Sequence, residues 1–333
     1  MSFCAMKLDL LIPYLLSPPT PSATLPACKI LETLLAHSEQ SPAQANYTHQ
    51  LFALANLPAD TSQSWLTALA DNCAPQFYQW RADPVHFKAH ADHAILLDSH
   101  SLAIQTNEAQ QLVAHFNQHF ADDGLQLFAA TPERWYLQAT NTLQVTTTTL
   151  AQSVGRNVRL FLPTGVDALR WRKILNETQM LFYAHAVNQQ REAENQLTIN
   201  SLWLWGEGYQ PAVDAKSSLA FYVDEITVRG VARVLQTPCS SVAAWLQQPT
   251  HGLLVLDDLL LPASYGDAER WREAVQIICQ NILPVVLRAL KSGQITQLNV
   301  YPADGRCFSL RATDLRKFWR LRKPLSHWMH YEH

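Results

Sequence analysis

The stretch His185-Ala186-Val187-Asn188-Gln189-Gln190-Arg191, followed after eight further residues by Asn200-Ser201-Leu202-Trp203-Leu204-Trp205-Gly206-Glu207-Gly208, decides the fold class. Its first part has the spacing of a helix on which His185 and Asn188 share a face and Arg191 lies a further turn along. Its second part is an apolar run of strand length closed by Gly-x-Gly, so a bare backbone turn follows the carboxyl end of a buried strand. Helix, buried strand and glycine turn make the unit of an α/β protein, and in open α/β sheets ligands bind beyond the carboxyl ends of the strands. The residues by themselves also allow a plainer reading, a capped helix, two core tryptophans and a tight turn.

The alternation continues toward the C-terminus. Strands are expected at 201–205, 220–223 and 253–256, and helices after Thr227 and at 241–247. A long helix is expected at 267–291, where Trp271, Val275, Ile278, Ile282, Val286 and Leu290 recur at spacings of three and four. Pro284 should kink it. Strands at 297–301 and 307–310 flank the turn Ala303-Asp304-Gly305. This order implies a mainly parallel sheet covered by helices.

Upstream, Leu8-Asp9-Leu10-Leu11-Ile12-Pro13-Tyr14-Leu15-Leu16 mimics a short signal peptide. Asp9 and Pro13 interrupt it and no small-residue cleavage site follows, so a buried first strand is expected. A Pro/Ser/Thr-rich connector at 17–26 leads to a helix at 29–37, a polar loop at 39–50 and a helix at 62–71. From residue 77 the order changes to strands at 77–81 and 94–98, a helix at 108–120 stopped by Gly124, and strands at 125–129 and 135–139. That order suggests a compact α+β unit. One continuous helix is expected at 167–195.

A chain of 333 residues accommodates one large domain carrying a smaller one. With 48% hydrophobic and 16% charged residues it is not globally disordered. A net charge of −3 and a pI near 6.5 give no broad attraction to nucleic acid or anionic membrane. No run approaches the roughly 20 consecutive apolar residues of a membrane span. Cys4, Cys28, Cys73, Cys239, Cys279 and Cys307 form no CxxC pair and are read as mostly buried, reduced thiols of a cytoplasmic protein.

The run Leu175-Asn176-Glu177, His185-x-Val187-Asn188-x-x-Arg191 and Asn200-x-x-Trp203-x-Trp205-Gly206-x-Gly208 resembles the archaeal-type, 2,3-bisphosphoglycerate-independent phosphoglycerate mutases of the alkaline phosphatase superfamily. Trp80-Arg81-Ala82-Asp83-Pro84-Val85-His86 is similar to the family's entry to its inserted domain, and Val223-Asp224 with Val228-Arg229-Gly230-Val231 is a further match in which arginine replaces the usual lysine. The resemblance covers roughly residues 45–310. With Arg134-Trp135-Tyr136-Leu137 it looks closest to a short bacterial branch labelled phosphoglycerate mutase-like or as regulators of pathogenicity factors.

The resemblance implies two divalent metals held by Asp and His and a serine nucleophile, since a phosphoryl group's charge must be neutralised while a hydroxyl attacks. The matching positions depart from that pattern. The first strand ends in Ile12-Pro13-Tyr14 rather than an aspartate and glycine, and Asn46-Tyr47-Thr48-His49-Gln50-Leu51 offers only Thr48 near the nucleophile. Leu260 and Ser264 stand before Gly266-Asp267 where Asp and His are expected, and Ala303-Asp304-Gly305 lacks a histidine. Asp257-Asp258 after a hydrophobic strand are conceivable replacements, though strand-end aspartates usually cap a turn or helix.

Other constellations have plainer explanations. His86, His90 and His93 with Asp83 have zinc-compatible spacing, against a solvated His-rich loop. The basic and aromatic segment 311–323 reads as an amphipathic surface helix rather than a nucleic-acid groove. Glu207 between the glycines could act as a general base.

The expected architecture is α/β, with a truncated alkaline phosphatase-like core at 1–75 and 165–333 and an α+β domain inserted at 76–164. The expected function is that of a degenerate, non-catalytic phosphoglycerate mutase-like protein with a residual anion-binding cleft, regulatory or metabolite-sensing. Arg81, Arg191 and Arg229 would grip a phosphorylated three-carbon acid or similar small anion in bidentate fashion, beside His185 and Asn188. No catalytic residue, metal ligand or cofactor is assigned, and neither nucleic acid nor membrane is expected as a partner. Two alternatives stand: an active mutase or phosphatase holding Mn or Mg through rearranged ligands, and a protein-interaction module without a ligand.

Overall fold

Twelve strands form along the described residues (6–20, 25–73, 79–141, 144–208, 210 and 219–329) of this computed structural model. They are β1 (Lys7–Leu11), β2 (Glu39–Pro42), β3 (Gln79–Ala89), β4 (Ala94–Leu97), β5 (Leu125–Thr131), β6 (Arg134–Ala139), β7 (Ser201–Trp205), β8 (Phe221–Tyr222), β9 (Cys239–Ser240), β10 (Gly252–Val255), β11 (Gln297–Tyr301) and β12 (Arg306–Arg311). The chain divides into two compact units, Met1–Ala59 with Ala212–His333, and Asp60–Pro211.

In the first unit a seven-stranded sheet has the order β2-β12-β11-β1-β10-β8-β9. The strands from β11 to β9 run parallel, and β12 and β2 complete the edge antiparallel. β1 is central, and Leu8, Leu10 and Leu11 are wholly buried, as expected of a parallel strand covered on both faces. The helix Lys29–His37 contributes Leu31, Leu34 and Leu35 to this core. The long helix runs as Ala268–Ile277, a π-helical segment Ile278–Ile282, and Leu283–Ser292. Proline lacks an N–H and crowds the preceding turn, so the distortion expected at Pro284 takes the form of that π turn. By length and composition Ala268–Ser292 could cross a membrane, but its stripe of Trp271, Val275, Ile278, Val286 and Leu290 is buried in the core.

The thiol expectation needs a correction. Cys28, just before the first helix, is disulfide-bonded to Cys279 in the long helix, their Cα atoms 5.9 Å apart because both elements pack against one core. Cys73, Cys239 and Cys307 are free, and Cys4 lies outside the described residues.

The second unit is an antiparallel sheet of order β4-β3-β6-β5, with β7 also paired to β3. Eleven-residue β3 serves three partners in turn: Gln79 to Arg81 face β6, Arg81 to Val85 face β7, and His86 to Ala89 face β4. The helices Thr106–His119 and Ala168–Tyr183 bring Leu112, Phe116, Trp171, Ile174 and Phe182 into one core with Trp80 and Trp135.

The α/β class and the mainly parallel, helix-covered sheet are those the alternation implies. The division of the chain lies elsewhere than at 76 and 164: β7 is bonded to β3 and the helix Ala168–Tyr183 packs on it, so residues 165–211 group with the antiparallel sheet. Residue 76 and the expected strand start at Phe77 lie outside the described residues. The helix expected at 167–195 is broken at His185, whose extended backbone (φ −77°, ψ 140°) and Nδ1, accepting from the Val187 N–H, cap a second helix, Ala186–Ala193. The polar segment 39–50 holds the exposed edge strand β2 and the start of a helix, Tyr47–Ala55, capped by the Asn46 side chain. The basic segment 311–323 forms a short 3-10 turn, Asp314–Arg316, and then an irregular tail. Arg320 donates to the His37 and Ser38 carbonyls and Arg322 pairs with Glu32, contacts that hold the tail without a helix.

Candidate functional site

Two adjacent signature segments meet in the second unit. Residues two apart on a strand share a face, so Arg81 and Asp83 of β3 point the same way. Arg81 donates through Nε (3.0 Å) and Nη2 (2.7 Å) to Asp83, and its guanidinium lies over the rings of Tyr136 (5.4 Å) and Trp205 (5.0 Å). The Trp205 indole donates to the other Asp83 oxygen at 2.7 Å. Burial raises the Asp83 carboxyl above its ordinary range, against the opposing pull of Arg81 and Trp205. Nearby, Asp71 accepts from Arg134 (3.0 and 2.7 Å) and from the Tyr136 hydroxyl (2.8 Å). Burial pushes Asp71 upward, but those hydrogen bonds outweigh it and leave its pKa below normal.

The remaining candidates of this unit also make internal contacts. Arg191 is 2% exposed and each guanidinium nitrogen has a protein partner: the Leu197 carbonyl (2.7 Å), Glu108 (2.7 Å) and the Leu102 carbonyl. Asn188 donates to the Phe182 (2.9 Å) and Ile199 (2.8 Å) carbonyls and accepts from the Ile199 N–H. His185 caps its helix, and burial lowers its pKa, aided by His115. Gly206 and Gly208 have φ of +80° and +139°, and a Cβ there would lie 3.0 Å from the Ser64 nitrogen or 2.7 Å from the Asp60 carbonyl. The Gly-x-Gly therefore seats backbone against residues 60–64, following a strand of the antiparallel sheet. Glu207, the candidate base, accepts from the Thr147 N–H (2.7 Å) and hydroxyl.

Arg229 belongs to the first unit, exposed on the helix Ile226–Val234. That helix starts at an acidic edge. Because β1, β8 and β10 are parallel, Ile12-Pro13-Tyr14, Val223-Asp224-Glu225 and Leu256-Asp257-Asp258 follow their carboxyl ends on one edge of the sheet. Glu225 caps the helix, accepting from the Thr227 N–H (2.8 Å), the Thr227 hydroxyl (2.7 Å) and the Val228 N–H (3.0 Å). Asp257 is pushed up to about 7, first by burial and then by Glu225, Asp258 and Asp224. The Tyr47 hydroxyl is buried beside Glu225 and Asp257 without closing a hydrogen bond of normal geometry, and burial followed by those two carboxylates raises it far above the usual phenol range. Asp304 is bound by Arg306 through Nε (3.0 Å) and Nη2.

Of Thr48, Asp257 and Asp304, Asp257 lies beside Tyr47 rather than being joined to Thr48, and Asp304 is committed to Arg306. Asp71, Tyr47 and Glu225 are absent from the expected site. Glu225, two residues before Thr227, carries a readable helix-cap signal; Tyr47 and Asp71 carry none. The donor set does not fit the two-metal centre that the resemblance implies. Among the described residues, the one group of His, Cys, Asp or Glu with three ligand atoms within 4.8 Å of one another is in the second unit.

No protein-family model matches the chain. Over 180 residues, 47% of this chain and 45% of the relative, it is 24% identical to the 2,3-bisphosphoglycerate-independent phosphoglycerate mutase of Methanosarcina mazei. The same enzyme of Methanosarcina barkeri is 23% identical over 180 residues. These matches span less than half of the relatives' length and are those of distant homologues. Among solved structures, the PH0037 protein from Pyrococcus horikoshii is similar with a TM-score of 0.51 at 13% identity, covering 92% of this chain and 87% of that one. The cofactor-independent phosphoglycerate mutase from Thermoplasma acidophilum gives 0.45 at 12% identity, covering 98% and 96%. The Pyrococcus structure supports the overall fold.

Proposed function

We propose that the chain is a non-catalytic, regulatory relative of the phosphoglycerate mutases, built on a phosphatase-like sheet that no longer holds a two-metal centre. The carrying observation is the set of donors at the carboxyl edge. Glu225 is engaged as a helix cap and Asp304 by Arg306, and Asp257, raised to about 7, carries its proton in roughly half of the molecules at neutral pH. Phosphoryl transfer needs positive charge where the three phosphate oxygens sit, and an edge of carboxylates repels them instead. With Arg81 and Arg191 held by Asp83 and Glu108, Arg229 is the guanidinium of the expected set left to meet a phosphorylated three-carbon acid. The short bacterial branch of regulators fits this reading. The expected cytoplasmic location stands against the Cys28–Cys279 bond, which oxidising compartments favour, and thiol counting on protein trapped from whole cells decides between them.

One observation favours a second reading. Asp224, Glu225, Asp257 and Asp258 crowd together, and a divalent cation would relieve that crowding, as in an enzyme with rearranged ligands. The deciding experiment incubates the full chain with Mn²⁺, counts bound metal and measures interconversion of 3-phosphoglycerate and 2-phosphoglycerate. No turnover is expected, and any Mn²⁺ that is bound should be the same in Asp257→Asn. Turnover that disappears in Asp257→Asn would overturn the first reading. A rise in melting temperature with 3-phosphoglycerate that Arg229→Ala abolishes would establish the sensing role, because only a ligand of the folded state raises the midpoint.

A further inference from the structure

The turn between β3 and β4 gathers three side chains with metal-binding atoms. His90-Ala91-Asp92-His93 is closed by a hydrogen bond from the His90 N–H to the His93 carbonyl at 2.8 Å. One donor atom from each of His90, Asp92 and His93 lies within 4.8 Å of the others. The two imidazoles are 4.9 Å apart and tilted by 34°, and His93 Nδ1 is 2.6 Å from Asp92 Oδ1. We propose that His90, Asp92 and His93 bind a divalent transition-metal ion of the zinc class.

Two imidazoles and a carboxylate are a common zinc ligand set, and bonds of about 2.1 Å in a tetrahedron put neighbouring donors roughly 3.4 Å apart. The three donors reach that spacing by side-chain rotation alone, since His90 and Asp92 are exposed and the backbone of the turn is already closed. The other members of the sequence constellation are spent elsewhere. Asp83 is held by Arg81 and Trp205, and His86 Nδ1 lies 2.9 Å from the Thr198 carbonyl. Asp92 takes their place because the turn folds it back onto His93.

Asp92 and His93 also line a cavity of about 580 Å³ whose wall carries Arg159 and Arg172. An ion held by three protein atoms keeps a position for water or a small anion. The ion would sit at the rim of that cavity, and the two guanidinium groups favour an anion there.

Equilibrium dialysis of the full chain against Zn²⁺, with bound metal counted, tests the site. Wild type should bind one equivalent more than His90→Ala/His93→Ala, and Asp92→Asn, which keeps the side-chain shape, should weaken affinity at least about tenfold. With Co²⁺ the near-ultraviolet spectrum should lack thiolate charge-transfer bands, and Cys239→Ser should change neither stoichiometry nor spectrum. All variants should melt like wild type in EDTA, because the altered residues sit at an exposed turn. Equal stoichiometry and affinity in the double variant would overturn the proposal, as would thiolate bands in the cobalt spectrum.

Discussion

Replacing Asp257 with asparagine removes the one carboxyl that the acidic edge holds far from its ordinary titration range. Its pKa moves from 3.8 to about 7. Each tenfold change in proton affinity corresponds to about 1.4 kcal/mol, so the full effect is roughly 4 kcal/mol. Asp257 is partly exposed, and solvent screening reduces this to about 2 kcal/mol. A carboxyl raised on folding binds its proton more tightly in the native state. The native chain therefore holds more protons than the unfolded chain between about pH 4 and pH 7, and stability falls as pH rises through that window. Asparagine does not titrate. Denaturant unfolding of both proteins should give similar free energies near pH 4 and an advantage of about 2 kcal/mol for Asp257→Asn near pH 8. If the gap between the two curves is the same at both ends, Asp257 is not crowded by Glu225, Asp224 and Asp258, and the account of the edge fails.

Three further outcomes follow from the packing. Arg191→Ala should lower unfolding free energy by about 3–5 kcal/mol, because it strands Glu108 and two carbonyls, while Arg229→Ala should stay within about 0.5 kcal/mol; equal losses in urea melts would contradict the assignment of scaffold and surface. Gly208→Ala should cost about 2 kcal/mol or more from its φ of +139° and the Asp60 carbonyl 2.7 Å from the new methyl, and a thermal midpoint equal to wild type would contradict it. Reducing Cys28–Cys279, which spans 251 residues, should destabilise the first unit by up to about 5 kcal/mol, read as a fall in melting temperature with dithiothreitol that Cys28→Ala/Cys279→Ala does not show.

Burial periodicity made much of the fold legible. Leu8-Asp9-Leu10-Leu11 and the 3-4 spacing from Trp271 to Leu290 report faces that are covered, and both elements stand where the pattern puts them. β2, Glu39-Gln40-Ser41-Pro42, has no apolar face to report and exists because β12 offers it free backbone groups. Trp203-Leu204-Trp205 announces burial but not which sheet will bury it, so the alternation places this strand in the parallel sheet whereas it pairs with β3. The same limit applies to the site. Arg81 and Arg191 have the side chain that grips oxyanions, and residue type alone does not say that a carboxylate of the same chain has taken it. For Arg81 the partner is two positions away on one strand face and was readable; for Arg191 it is Glu108, 83 residues distant. Tyr47, Glu225 and Asp257 come from three remote segments that only the folded sheet edge unites.

The place of β1 at the middle of its sheet sets an order of assembly. Its partners begin at Gly252 and Gln297, so the ribosome makes the central strand first and its neighbours hundreds of residues later. The antiparallel unit, Asp60–Pro211, is continuous and can condense while the parallel sheet is still without its middle contacts. Until the strand at Gly252–Val255 emerges, the apolar ribbon from Leu8 to Leu11 has no sheet partner, and it is the segment a nascent-chain chaperone would have to shield.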